Sequence, residues 1–513
     1  MTSGIHHVTL ITGDVQTNVD FYVGFLGLRL VKQTGGYEDA RQLHLFYGDY
    51  AASPGSLITF LVWQGGSSGQ AGAGQVSELA LAIPPGSIGY WLERALTHQV
   101  KVEGTGQEFG EPVLRLRDPD GVLVKLVGAD IQALDMPKGS IPPEHAIRRI
   151  RGVTLLSEVQ EETASFLTRH FGFRMGPVDG KIQRLVSDIG DVLDIRDAAG
   201  FWPGAPGTGT ADHVAVRAVD EAEVEGVERE LRKLNSSMTN LHDRNYFTSL
   251  YVREPGNVLI EMANDGPGFT LDETLETLGK TLFVPPDSAS EAEDIKVMLP
   301  QFGLPDEERV IYRDLIYKHR FYTPQNPDGT TIALLHGTGG NETDLMPLAH
   351  RAAPNATLLG IRGRSTEAGV QRWFRGFGPS IFDQKDIRFE SGALEAFFGE
   401  ITSAYSISPE KLVALGYSNG ANLLAAAMLL HPGLLRRAVL LRPMMVLDEV
   451  PDADLSGTEV LVLLGKQDAM AEGGETLVSR LAARGATVTR QRLDAGHALT
   501  DRDAEIVCEW LAL

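Results

Sequence analysis

Three residues far apart in the chain have the types and setting for acyl transfer. Ser418 lies in Gly416-Tyr-Ser-Asn-Gly420, between the strand-like run Lys411–Leu415 and the helical run Ala421–Ala427. A G-x-S-x-G turn between strand and helix is sharp, leaves no room for side chains at its glycines and presents the serine hydroxyl. The bare pattern is common by chance; strand and helix on the correct sides make it informative. Asp468 follows the run Val460–Leu464 in Gly465-Lys-Gln-Asp468, and His497 follows Val488–Leu493 in Asp494-Ala-Gly-His497. The order Ser, Asp, His is the one that accompanies this turn. Ser418 would attack an acyl carbon, His497 would take its proton and return it to the leaving group, and Asp468 would orient the imidazole. Backbone N–H groups of Asn419 and of the loop His336-Gly-Thr-Gly-Gly-Asn341, with Thr338 the expected donor, would hold the oxyanion. Trp373 and Arg375 are candidates for the pocket wall, with core and surface roles equally open.

A second set emerges from internal repetition. Four segments open at Ile5–Ile11, Ser77–Ile83, Ile150–Leu156 and Asp212–Ala218, each apolar like a strand and each followed by a helical stretch. Two units also close alike, in Asp118-Pro-Asp-Gly-Val-Leu-Val-Lys-Leu126 and Glu254-Pro-Gly-Asn-Val-Leu-Ile-Glu-Met262. Position by position, His7 of the first unit matches Gly152 of the third, His213 of the fourth matches Glu78 of the second, and Glu261 matches Lys125. Units one and four therefore keep metal-capable side chains, and units two and three do not. Two neutral imidazoles and one carboxylate leave three open positions on an octahedral ion, an arrangement suited to Fe(II) with substrate and dioxygen, and also to Mn(II). Zn(II) prefers four-coordinate sites. A lone strand His or Glu is usually a surface or satisfied residue. Glu261, however, interrupts an apolar run, where an unpaired carboxylate is costly.

The elements that must position these residues fall into blocks. At 513 residues the chain is too long for one core. Residues 1–134 and 148–265 each read as two βαβββ units, an α+β arrangement. A connector over 132–147 holds Pro137, Gly139, Pro142 and Pro143. Residues 266–309 read as a tail and linker with an acidic helix from about Ser288 to Met298. Over 310–513, apolar runs at Thr331–Leu335, Thr357–Gly360, Leu412–Leu415, Ala438–Leu441, Val460–Leu464 and Val488–Leu493 alternate with helical stretches. That rhythm implies an α/β domain, a mainly parallel sheet with helices on both faces.

Composition excludes several classes of function. A net charge of −22 argues against nucleic acid and anionic membrane as partners. No apolar run approaches the roughly 18 residues of a membrane span, and no secretory pattern opens the chain, so the cytoplasm is the expected location. The one cysteine, Cys508, forbids an intrachain disulfide and fits a reducing compartment. Its helical surroundings (Ala504, Ile506, Val507, Leu511) lead us to expect a buried, inert thiol. The oligomeric state is left open, a homo-oligomer included.

Residues 1 to about 302 resemble the vicinal-oxygen-chelate superfamily and, within it, the ring-cleaving dioxygenases that act on para-hydroquinones. The carrying segments are Gly4-Ile-His-His-Val-Thr-Leu-Ile-Thr-Gly-Asp14 and Asp243-Arg-Asn-Tyr-Phe-Thr-Ser-Leu-Tyr-Val-Arg-Glu-Pro-Gly-Asn-Val-Leu-Ile-Glu261. The resemblance implies His7, His213 and Glu261 as ligands of Fe(II), with O2 as co-substrate. It places His6, Thr9, Arg244 and Tyr251 around them. Arg244 would hold an anionic oxygen, Tyr251 would hydrogen-bond or protonate an oxygen intermediate, and Thr9 would meet the substrate. His6 would shuttle a proton or play a structural part, since strand alternation points it away from His7. Asp212 stands where these enzymes often carry a histidine. As a substrate-binding group its reference pKa of about 3.9, against about 6.5 for His, alters proton transfer.

Residues 310–513 resemble the small carboxylesterase/phospholipase branch of α/β-hydrolases, on Leu335-His-Gly-Thr-Gly-Gly-Asn-Glu342, Gly416-Tyr-Ser-Asn-Gly-Ala421 and Asp494-Ala-Gly-His497. The resemblance implies a compact hydrolase with little lid. Together the two likenesses imply a bifunctional enzyme with a small aromatic and a small ester as substrates. A glyoxalase-type isomerase or transferase, or a non-catalytic binding module, remains the alternative for the first part.

Overall fold

The computed structural model describes residues 4–132, 139, 141–234, 240–378 and 381–512. Residue 134, Pro137 and the two terminal residues, which bound or belong to expected blocks, lie outside them. Two compact units result: Met1–Ser290 with Phe302–Arg309, and Glu291–Gln301 with Val310–Leu513.

In the first unit the four opening runs form strands Ile5–Thr12, Gln75–Ile83, Arg149–Ser157 and Ala211–Ala218. The sheets do not follow the expected blocks: the first and second repeats lie in different sheets, as do the third and fourth. The first and fourth repeats build a nine-stranded sheet, and the second and third build an eight-stranded one. At the centre of the first sheet the opening strands run antiparallel, with Thr9 opposite His213 and His7 opposite Ala215. Each is flanked in parallel by the closing strand of its own repeat, Leu57–Val62 or Leu259–Asn264. This pairing brings His7, His213 and Glu261 onto three adjacent strands.

The segment after Asn264 completes the same sheet. Leu282–Phe283 adds a short strand beside Arg29–Gly35, and Phe269 packs with Phe46, Tyr246 and Phe247. Lys32, with its side chain fully buried, ties Asp272 and Glu273 at 2.7 and 2.8 Å. The expected acidic helix begins later than read: Pro286–Glu291 is a 3-10 turn, and the α-helix runs over Ala292–Met298.

In the second unit the six apolar runs form six parallel strands: Thr357–Ile361, Thr331–Leu335, Leu412–Tyr417, Arg437–Leu441, Glu459–Gly465 and Thr487–Leu493 in spatial order. His319–Tyr322 adds an antiparallel edge strand that the sequence did not announce, because only Phe321 of its four residues is buried. One core lies on each face of the sheet. Helices Gln384–Ala404 and Asn419–Leu430 contribute to one, and Met346–Ala352 and Asp501–Leu511 to the other. Cys508 is exposed, contrary to expectation. On that last helix the buried stripe is Asp503, Ala504, Ile506, Val507 and Trp510, and Cys508 falls on the opposite side. Among the described residues no helix is long and apolar enough to cross a membrane.

Candidate active sites

His7 Nε2 lies 3.0 Å, and His213 Nε2 2.7 Å, from Glu261 Oε2. The three donor atoms all lie within 4.8 Å of one another, and all three residues are buried. Both oxygens of Glu261 are enclosed, and the groups that reach them are the imidazoles of His7 and His213 and the Tyr251 hydroxyl. An enclosed carboxylate with two imidazole nitrogens aimed at the same point fits a divalent cation.

The outer nitrogens of both rings are occupied. His213 Nδ1 is 2.7 Å from Asp212 Oδ2, so Nδ1–H donates to the carboxylate and Nε2 faces the site. His7 Nδ1 is 2.9 Å from His6 Nδ1, and His6 in turn hydrogen-bonds the backbone of Asn264. The strand expected to turn His6 away carries a β-bulge between Ile5 and His7, which turns both imidazoles to one side. Burial, reinforced by the neighbouring His7, pushes His6 down to about 3, which keeps it neutral.

Charge is concentrated at Glu261. Burial alone would raise its carboxyl, but His7 and His213 hold it well below the usual carboxylate range. Burial lowers His213, yet Glu261 and the hydrogen bond that His213 donates to Asp212 outweigh it and carry the imidazole up to about 9. The cation-free site therefore holds a proton on His213 up to about pH 9, and a metal must displace it. We expect divalent-metal affinity to rise about tenfold per pH unit up to about 9, then level off. Competition titrations of Mn(II) against a chromophoric chelator check this; a flat profile contradicts it. Asp212→Asn should move the break to lower pH.

Arg244 and Tyr251 stand on one side of the ligand set. The Tyr251 ring lies 5.3 Å from that of His213, and the Arg244 guanidinium 5.5 Å from the Tyr251 centroid. Burial pushes the Tyr251 hydroxyl up, so it remains a donor. Thr9 Oγ1 is 2.9 Å from His213 Nε2 and 2.8 Å from Thr59 Oγ1, which is 3.0 Å from His44 Nε2. Sequence reasoning missed Thr59, His44 and also Phe247, which packs 5.2 and 5.6 Å from the rings of His6 and His7. The one available signal was a histidine breaking the apolar run Leu43–Tyr47.

The sister sheet shows why the same positions there hold no second ligand set among the described residues. Glu78 stands opposite Thr154, and Ala80 is flanked by Gly152 and Lys125, the register of Thr9, His213, His7 and Glu261 in the first sheet. Lys125 Nζ lies 2.9 Å from Glu78 and 3.1 Å from Glu108, so an ammonium neutralises these carboxylates. A Cβ at Gly152 would sit 2.3 Å from the Val192 carbonyl, leaving no room for a ligand side chain.

In the second unit Ser418 follows the strand Leu412–Tyr417 with φ +51° and ψ −115° and starts the helix Asn419–Leu430. A Cβ on Gly420 would lie 2.3 Å from the Leu335 carbonyl, so the turn tolerates only glycine. His497 Nε2 is 2.9 Å from Ser418 Oγ, and His497 Nδ1 is 2.9 Å from Asp468 Oδ2. Asp468 is 4% exposed and His497 36%, so the acid is shielded while the base is reachable. Thr338 is exposed and Asn419 buried, at the loop and helix start expected of them. Trp373 is fully buried and forms no outer wall. Arg375 is exposed and pairs with Asp383 and Asp386.

Arg442 was not foreseen. Its buried guanidinium forks onto Asp503 at 2.7 and 2.9 Å and also donates to the carbonyls of Gly496 and Ala498, on either side of His497. Breaking such a buried pair from one side costs about 3–5 kcal/mol. Arg442→Met should lower the midpoint of thermal inactivation of ester hydrolysis by roughly 10 °C. An unchanged midpoint would refute the assignment.

A family model described as the Glyoxalase/Bleomycin resistance protein/Dioxygenase superfamily matches residues 4–126. MhqO of Bacillus subtilis, designated by name a ring-cleaving dioxygenase, is 37% identical over 314 residues, 60% of this chain and 98% of its own. The chain belongs to this superfamily. The superfamily portion is also 34% identical over 296 residues to a chlorohydroquinone/hydroquinone 1,2-dioxygenase of Sphingobium indicum, covering 55% of this chain and 91% of that protein. This superfamily member carries a further likeness, to MhqD of Bacillus subtilis, designated a hydrolase: 36% identity over 181 residues, 35% of this chain and 90% of MhqD. The vicinal-oxygen-chelate fold of the first unit and the α/β-hydrolase fold of the second both agree with the sequence reading.

Proposed function

We propose that the chain is a two-site enzyme: an Fe(II)-dependent dioxygenase that opens hydroquinone-type rings with O2, joined to a serine carboxylesterase. The observation that carries the first reading is the enclosed Glu261 carboxylate with the Nε2 atoms of His7 and His213 converging on it. The likeness to a hydroquinone dioxygenase supplies the substrate class.

A ferrous ion held by His7, His213 and Glu261 would supply affinity for dioxygen and an ionised aromatic hydroxyl; Mn(II) would serve the same donors. The chain's own residues do the rest. Arg244 offers paired guanidinium donors to a phenolate. Tyr251, held protonated by burial, donates a hydrogen bond on the same side. His6 and Asp212 hold the two imidazoles with Nε2 inward.

In the esterase, His497 Nε2 accepts the Ser418 proton as Oγ bonds to the acyl carbon. The backbone N–H groups of Asn419 and Thr338 receive the oxyanion. His497 then gives the proton to the departing alcohol, and water repeats the cycle. A single cysteine suits a reducing cytoplasm.

The decisive experiment is anaerobic Fe(II) loading followed by an oxygen-electrode screen of hydroquinones and catechols. Oxygen uptake dependent on Fe(II) supports the proposal. Absence of uptake, with turnover of methylglyoxal and a thiol instead, would establish the isomerase alternative.

A further inference from the structure

The oxyanion loop and the nucleophile helix belong to separate elements, yet one short segment holds both. Trp373 Nε1–H donates to the His336 carbonyl at 2.8 Å, one peptide before Gly337-Thr338. Gly339 N–H, just after Thr338, donates to the Gln371 carbonyl at 2.8 Å. Thr338 is thus fixed on both flanks by residues 371 and 373. The same Trp373 donates its backbone N–H to Asn419 Oδ1 at 2.8 Å, gripping the first residue of the nucleophile helix. The loop has further braces: His336 Nε2 accepts from Gly363 N–H at 3.0 Å, and the Gly337 carbonyl accepts from Gly340 N–H at 3.1 Å and from His336 Nδ1–H at 2.6 Å. Trp373 itself cannot move, being fully buried in the core with Tyr317 and Phe397.

We propose that Trp373 is a positioning residue that sets the spacing of the two oxyanion donors, the backbone N–H groups of Thr338 and Asn419. The inference rests on the serine-hydrolase reading of this unit. Its physical basis is that an oxyanion hole works only when donors are aimed before charge develops, and that misplacement by about an ångström costs up to about 100-fold in rate. The indole N–H is the only part of the Trp373 side chain with a hydrogen-bonding role, so its loss should release the His336–Thr338 peptides without opening the triad. Binding of the ground-state ester should be little affected.

The test uses the full chain. Trp373→Phe removes the donor and keeps an aromatic ring; benzothienylalanine at position 373 replaces N–H by sulfur at nearly the same shape and serves if the phenylalanine variant misfolds. We expect kcat for p-nitrophenyl acetate to fall about 10- to 100-fold with KM unchanged. Affinity for a boronic acid, which mimics the tetrahedral state, should fall in parallel. Wild-type kcat and boronate affinity in either variant overturns the proposal, as does a loss confined to KM. Ser418→Ala is run alongside. Turnover surviving in that control defeats the hydrolase reading itself, whereas Ser418-dependent turnover indifferent to the indole N–H defeats only the role of Trp373.

Discussion

Ser418→Ala should lower p-nitrophenyl ester turnover by about 10⁴- to 10⁶-fold and leave oxygen uptake on hydroquinones at the wild-type rate. The size follows from concerted action. His497 and Asp468 can only deliver a proton acceptor to an oxygen that has been removed, so the rest of the triad contributes almost nothing alone. What remains is attack by water assisted by the oxyanion donors. Fluorophosphonate labelling should vanish in the same variant, because it requires the same Oγ. The dioxygenase arm checks the separation of the sites: Ser418 belongs to one compact unit and the His–His–Glu set to the other. Labelling that persists in the variant would mean that another nucleophile does the work.

The sequence revealed the fold where periodicity is strong and local. All six apolar runs of the hydrolase unit are strands, since parallel strands covered on both faces must be apolar throughout. The four-residue edge strand His319–Tyr322 escaped because an edge needs little apolar surface. Comparison of the repeats singled out His7, His213 and Glu261, but it could not tell that the first and fourth repeats share a sheet; that depends on contacts over some 200 residues. Side-chain direction was the other gap. Alternation would have pointed His6 outward, and a one-residue bulge reversed it. Arg442 and Trp373 carry no motif at all. Their importance comes from which carbonyls and side chains surround a buried donor, and only the folded chain fixes that.

Glu261→Gln should abolish both metal retention and ring cleavage while leaving the fold intact. The carboxylate contributes the only negative charge among the three proposed ligands, and it is fully enclosed. The amide has the same shape but presents a neutral oxygen and two N–H groups to a site already lined by imidazole nitrogens. In the metal-free protein the change is mild. His213 is protonated because Glu261 and Asp212 hold its proton, so once Glu261 is neutral the imidazole can shed that proton rather than remain an uncompensated buried charge. The fold thus has a route to relax, and the metal does not. Wild-type protein at a metal concentration 100 times Kd gains about 2.7 kcal/mol, seen as a rise in Tm. The glutamine variant should show no such rise, no metal after desalting and no oxygen uptake with any hydroquinone, yet keep full esterase activity. A variant that still takes up Mn(II) with wild-type affinity would remove Glu261 from the ligand set, and the dioxygenase reading would then lack its anionic ligand.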